Sequence, residues 1–236
     1  MPRSSRLANA IGVVGLQLFL VCSFSQAQVI VPVRGDIGVV SSMVSVGGEM
    51  WIGSENGVFR VDKATNQVFS VRGKAGPVTG KLVVSSNEIF VPSFTNGAFR
   101  INPKTNEAIR IEGKYDGAIT CILSANGDMW FGGTKGAYRV PAGSNNLVTL
   151  DGDPGRVAFI VFEGGNIWVG GTNDTFRVDE RANKLISLRA NPGYALSMYS
   201  YNGDLWLGSG KDASRMAFGT SLIASVSAWT KERLLS

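Results

Sequence analysis

The chain has 236 residues, 44% of them hydrophobic and 17% charged, with a formal net charge of +5 and no histidine. Such a length supports one domain with a large core, and the missing histidine excludes Ser-His-Asp and Cys-His catalysis and histidine metal sites. The small positive charge has no basic run behind it, so it is not a nucleic-acid footprint.

Arg3 and Arg6 precede a mostly apolar run from Ala10 to Phe24, and Ser25-Gln26-Ala27 follows. A positive n-region, a short apolar run and small residues at the −3 and −1 positions predict a secretory signal peptide over residues 1–27, cut after Ala27. An uncleaved membrane anchor is the alternative, although the run is short for a span. Val21 before Cys22 argues against a lipoprotein. The expected mature domain, residues 28–236, is secreted or periplasmic and has no further stretch apolar enough to span a bilayer. Cys121 is then the only cysteine, so no internal disulfide can form, and its place in Ile119–Leu123 reads as core filling.

Five copies of one pattern follow: Glu49–Arg60, Glu88–Arg100, Asp128–Arg139, Asn166–Arg177 and Asp204–Arg215. Their anchor aromatics, Trp51, Phe90, Trp130, Trp168 and Trp206, are 39, 40, 38 and 38 residues apart. Short β-like runs at a period of about 40 residues predict an all-β propeller of about five four-stranded blades. The alternative is an incomplete part of a six- or seven-bladed propeller.

In the first copy the strands are expected at Val39 to Val46 (A), Glu49 to Ser54 (B), Gly57 to Asp62 (C) and Gln67 to Arg72 (D). Gly47-Gly48, Ser86-Asn87, Asn126-Gly127, Gly164-Gly165 and Asn202-Gly203 suit two-residue A–B turns. Asn56-Gly57, Asn96-Gly97, Lys135-Gly136, Asn173-Asp174 and Lys211-Asp212 are assigned to the B–C turns. With Asn56-Gly57 as the turn, Gly53 faces Arg60 and Trp51 faces Asp62. Trp51, Gly53, Arg60 and Asp62 then share one face, and Met50, Ile52, Phe59 and Val61 the other. Arg60 is expected to lie over Trp51 as a cation–π contact, in the space left by Gly53. The one-residue insertion Ser93-Phe94-Thr95 predicts a bulge in the second blade.

Arg60, Arg100, Arg139, Arg177 and Arg215 recur in every copy. A ring of anion-binding arginines is one reading. A residue needed by every blade points instead to packing between blades, with Glu49, Glu88, Asp128, Asn166 and Asp204 as partners. Val29–Gly35 matches the fourth strands of later copies, so it is expected to complete the last blade and close the ring. Leu222–Val226 competes for the same slot.

The run Met50-Trp51-Ile52-Gly53-Ser54 with Asn56-Gly57-Val58-Phe59-Arg60-Val61-Asp62 resembles the two-component regulator propeller repeat, over roughly residues 39 to 226. The resemblance implies a ligand-binding, sensor-type propeller. Members of that family often form the periplasmic half of hybrid histidine kinases, whereas no membrane helix or kinase follows the repeats here. A more distant resemblance is to streptogramin-lyase-like propellers, whose enzymes rely on a histidine that this chain lacks.

Binding sites on repeat scaffolds lie where the copies differ, and here the D–A loops differ most. They supply the candidate ligand-binding residues Arg34, Lys74, Lys114, Tyr115, Arg156 and Tyr194. No catalytic residue, metal site or cofactor is assigned, although a calcium site of Asp and backbone carbonyls stays open. The expected function is non-enzymatic binding of a small ligand or protein partner through the loop face, in sensing. The alternatives are a lyase- or hydrolase-like propeller using acidic loop residues, and a truncated sensor fragment.

Overall fold

The computed structural model describes residues 30–188, 195–210, 213–217 and 223–225. All five sheets lie in the unit Pro32–Ser236. The expected signal peptide and Tyr194 fall outside the described residues.

Each repeat folds as one four-stranded antiparallel sheet. The first blade comprises β1 (Val40–Val46), β2 (Glu49–Ser54), β3 (Gly57–Val61) and β4 (Val68–Ser70). The second has β5 (Val83–Ser85), β6 (Glu88–Ser93), β7 (Gly97–Asn102) and β8 (Glu107–Arg110). The third has β9 (Ile119–Ala125), β10 (Asp128–Gly133), β11 (Ala137–Val140) and β12 (Val148–Thr149). The fourth has β13 (Val157–Glu163), β14 (Asn166–Gly171), β15 (Thr175–Asp179) and β16 (Lys184–Ser187), and the fifth β17 (Ala195–Tyr201), β18 (Asp204–Ser209), β19 (Ala213–Ala217) and β20 (Ile223–Ser225). Among the described residues the protein is an all-β propeller of five four-stranded blades.

The A–B turns form as the residue pairs dictate. Gly47 and Gly48 take φ of 62° and 80°, and Asn126 and Gly127 take 54° and 82°. Positive φ at both central residues matches the twist of the flanking strands. The B–C turns are displaced by one residue from expectation. Ser54 pairs with Gly57, so Glu55-Asn56 form the loop, and Trp51 pairs directly with Arg60. The same displacement puts Thr134-Lys135 and Thr172-Asn173 at the tips in the third and fourth blades. Because the register moves by two residues on the partner strand, the face assignment is unchanged. The second blade has no bulge between β6 and β7. Its extra residue is absorbed in a three-residue loop, Phe94-Thr95-Asn96. Register shifts occur instead between the first two strands of the other four blades.

The two faces of each sheet have different jobs. Trp51, on the forward face of the first blade, clusters with Val78, Leu82, Ile89, Val91, Phe99 and Ile101 of the second. Phe90 packs on Ile119, Met129, Phe131 and Tyr138 of the third. Trp130 packs on Val157, Ile160, Ile167 and Val169 of the fourth, and Trp168 on Leu205, Met216 and Met198 of the fifth. Each of these four anchor aromatics therefore buries itself in the backward face of the next blade. Val78 and Leu82 come within 3.1 and 3.2 Å of where a Cβ on Gly53 would sit. The next blade, not Arg60, fills the space that this glycine leaves.

The strand-C arginines pair mostly with the first residue of strand B. Arg60 meets Glu49 at 2.9 Å, Arg100 meets Glu88 at 3.8 Å, Arg139 meets Asp128 at 2.5 Å and Arg215 meets Asp204 at 3.1 Å. In the third blade Arg139 also lies over Trp130, 5.2 Å from the ring centre. Its guanidinium donates to Glu180 O at 2.7 Å and to Asn183 Oδ1 at 3.1 Å, both in the fourth blade's C–D turn. Arg60 departs from expectation and lies over Phe69, not Trp51. Arg177, opposite the uncharged Asn166, is exposed.

A second link joins the outer strands. Arg72 N donates to Asn106 O at 3.0 Å, and Arg72 O accepts from Ala108 N at 2.8 Å. Glu112 forms the same pair of bonds with Asn145 and Leu147, and Asp151 with Asn183 and Leu185. Arg34 does so with Asn66 and Leu-equivalent Val68 of the first blade. Arg34 thus occupies a fourth-strand position, as its sequence match requires, yet the fifth blade's fourth strand is β20. The expected closure by Val29–Gly35 is corrected accordingly. Residues 223–225 follow β19 closely in sequence, so little loop entropy opposes their pairing. No core cluster among the described residues joins the first and fifth blades.

Candidate functional site

The first strands of successive blades pack against one another, so they form the inner wall. At the ends where these strands start, the described D–A loops each meet the B–C loop of the blade that they enter. In the fourth blade Arg156 N donates to Thr172 Oγ1 at 3.0 Å, and Thr172 N donates to Arg156 O at 3.0 Å. Asn173 N donates to Pro154 O at 3.2 Å, and Asp153 Oδ1 accepts from Gly155 N at 3.0 Å. Gly155 has φ +64°, and a Cβ on it would overlap Thr172 Oγ1. Only glycine lets the two loops approach this closely. The backbone of Arg156 is thereby fixed from both sides, while its side chain is exposed.

Between these loops lies a cleft of about 410 Å³, lined by Thr79, Phe94, Thr120, Thr134, Arg156 and Leu196 among others. The lining comes from four blades. Thr79 Oγ1 donates to Ile119 O at 2.6 Å, and Thr120 Oγ1 shares its proton between Val157 O at 2.9 Å and Gly132 O at 3.0 Å, so both hydroxyl protons are spent on main-chain carbonyls. Their lone pairs still accept. Phe94 and Leu196 are exposed apolar walls. Arg156 is the cation of the set, and among the described residues its guanidinium has no hydrogen-bond or ion-pair partner. The cleft offers an apolar surface beside one fixed positive charge, which suits a small molecule with an anionic group.

The structure brings one of the six sequence-derived candidates, Arg156, into this cleft. Arg34, Lys74 and Lys114 are exposed on their own loops and do not line it. Tyr115 is turned inward. Its ring lies against the Cβ-free side of Gly97 and 5.9 Å from the Tyr138 ring, and Arg110 stacks on it at 5.4 Å. Its hydroxyl donates to Ile111 O at 3.1 Å, and burial pushes its pKa up to about 12. Burial likewise pushes the Cys121 thiol up to about 11, in keeping with a packed side chain.

Sequence reasoning passed over Phe94 and Leu196. Phe94 sits in the one-residue insertion that sets the second copy apart, so the irregularity itself was the signal. The carboxylates, in contrast, are largely occupied by structure. Glu49, Glu88, Asp128 and Asp204 hold arginines, and Asp62 and Asp179 cap turns by accepting from backbone amides two and three residues on.

No family model and no curated sequence matches the chain. Solved structures match its fold. The extracellular domain of BT4673 of B. thetaiotaomicron, named as a hybrid two component system, aligns with a TM-score of 0.61 at 18% identity over 80% of this chain and 28% of that one. The corresponding domain of BT3049 gives 0.58 at 15% identity, over 80% and 30%. The computationally designed protein Ika8 gives 0.64 at 12% identity, over 78% and 60%. The chain spans under a third of the length of these two extracellular domains. At these identities the likeness is one of fold: a propeller of the kind found in extracellular domains of two-component systems.

Proposed function

We propose that this protein is a non-enzymatic, exported sensing or binding propeller whose ligand is a small molecule with an anionic group. The observation that carries this reading is Arg156. Its backbone is locked between Thr172 and the D–A loop, its guanidinium is unpaired among the described residues, and it stands beside the exposed apolar side chains of Phe94 and Leu196. The fold likeness to extracellular domains of two-component systems supports a sensing role outside the cytoplasm. The amino-terminal pattern ending in Ser25-Gln26-Ala27 supports export.

Thermal-shift and calorimetric titration with small carboxylates and sugar phosphates, each beside its neutral counterpart, tests the site. Stabilisation by an anionic compound, abolished by Arg156→Gln with the ligand-free melting temperature unchanged, is the expected result. Binding that survives Arg156→Gln and is lost in Arg139→Ala would move the site to the strand-C arginines. Amino-terminal sequencing of exported protein should find Gln28 first; Met1 on that material would overturn the export reading.

A further inference from the structure

The forward face of a blade is made to be covered by a backward face, and the chain contains this interface four times. Among the described residues, each of its two halves is left partly open once. On the fifth blade, Tyr199, Tyr201, Trp206 and Arg215 share the forward face. Tyr199 holds the position of Val44, Val83, Leu123 and Val161, which pack partly buried against the next blade, yet it is 67% exposed. Trp206 is only half-buried, whereas Trp51, Trp130 and Trp168 are buried.

The backward face of the first blade shows the complementary gap. Met50 holds the position of Ile89, Met129, Ile167 and Leu205, all of them buried, and is 43% exposed. Met43, beside it, is 62% exposed. Ile52, Phe59 and Val61 on the same face are buried, so the open part is the inner side, on β1 and the start of β2, that carries the two methionines. Tyr199 and Tyr201 lie on the corresponding inner strand of the fifth blade.

The fourth–fifth junction shows how the halves fit. There Trp168 packs against Leu205, Met216 and Met198. The first-blade residues at those three positions are Met50, Val61 and Met43. Flexible, polarizable methionines suit an aromatic partner. Arg215 holds the position of Arg139, and Asn66 that of Asn183, which accepts from Arg139 in the third–fourth junction. We infer that the fifth blade of one copy docks on the first blade of a second copy, repeating between chains the aromatic-on-methionine part of the interface made within one, while Arg34 of the same chain keeps the outer-strand bonds to Asn66 and Val68. The contact is heterologous: different surfaces meet, and each copy keeps one of each free.

Sedimentation velocity on the whole chain tests this. The expected result is concentration-dependent association, weakened about tenfold or more by Tyr199→Glu and equally by Met50→Glu, since either would bury an unpaired charge. Both positions are exposed, so each variant should melt like the parent. An equimolar mixture of the two variants should recover a dimer, because one retains the first-blade face and the other the fifth. A parent that stays monomeric at every concentration overturns the inference, as does association that survives either substitution. Loss without recovery on mixing shows like faces pairing and overturns it too. If a glutamate variant fails to fold, Tyr199→Cys in one chain and Met50→Cys in another replace it. A mixed disulfide between the two supports the docking, and homodisulfides alone overturn it.

Discussion

The third and fifth blades share a motif and differ in fate. Asp128-Met-Trp-Phe-Gly and Asp204-Leu-Trp-Leu-Gly place the same residues on the same strands, and both pair an arginine with the leading aspartate. In the third blade Trp130 is buried and Arg139 reaches Glu180 and Asn183 across the junction. In the fifth, Trp206 is half-buried and the Arg215 side chain is 49% exposed. The motif therefore specifies one half of an interface, and its energetic worth depends on what stands opposite.

The largest expected effect follows from that asymmetry. Trp130→Ala should cost about 3–5 kcal/mol, as for other large buried aromatics. Trp206→Ala should cost less, about 2 kcal/mol, because Trp206 is only partly covered. Denaturant melts of the two variants measure the gap, and equal losses would mean that the fifth blade is covered.

Arg139→Ala should cost about 2–3 kcal/mol, since it strands Asp128 with its charge largely buried and removes two bonds to the fourth blade. Arg177→Ala, at the same position in the fourth blade but exposed, should stay within about 0.5 kcal/mol. If the two variants melt alike, the recurring arginine is not an interblade contact.

Glycines of the B–C face sharpen the comparison further. Gly155→Ala should lose about 1–2 kcal/mol, because its φ is +64° and the new Cβ would overlap Thr172. Gly210, in the fifth blade's B–C loop, has open space around the position of a Cβ, and Gly210→Ala should be neutral within about 0.5 kcal/mol. Thermal melts suffice for both.

The smallest effect concerns thiols. Cys121 pairs with Gly132 in the third blade as Ser197 pairs with Gly208 in the fifth. Burial raises the Cys121 pKa from 9.0 to about 11, so the neutral thiol is the stabilised form. Its contribution to stability is present below about pH 9 and is lost as the pH rises through about 11. In a Cys22→Ser background at pH 8, a maleimide should label Cys121 slowly. A cysteine introduced by Ser197→Cys should react far faster, because Ser197 is exposed.

The fold was legible because identical residues recur at one spacing. Trp51, Trp130 and Trp168 announced a buried position, and Gly47-Gly48 and Asn126-Gly127 announced tight turns. The B–C register was not legible at single-residue resolution, since Asn56-Gly57 reads equally as a turn pair or as a turn end followed by the first residue of β3. Of the site, Arg156 was legible as a charged residue in a loop that differs between copies. Tyr115 had the same credentials and turned inward, because the space that receives it is made by Gly97, eighteen residues earlier in a different repeat. Leu196 could not be found at all: its role depends on which strand starts surround the cleft, a property of three-dimensional proximity. The asparagines Asn66, Asn106, Asn145 and Asn183 were passed over, and nothing in their spacing reveals that their carbonyls accept from the preceding outer-strand position.

Those carbonyl bonds give the molecule a circumferential belt. Arg72, Glu112 and Asp151 are exposed residues beyond the ends of their strands, and each is tied by two main-chain bonds to the next outer strand. Their amides should exchange with solvent only when two neighbouring blades part company, so a loop amide at Asp151 reports on the rupture of a junction. Amide-by-amide exchange would then show whether the row of blades frays one blade at a time from its ends or lets go as a whole.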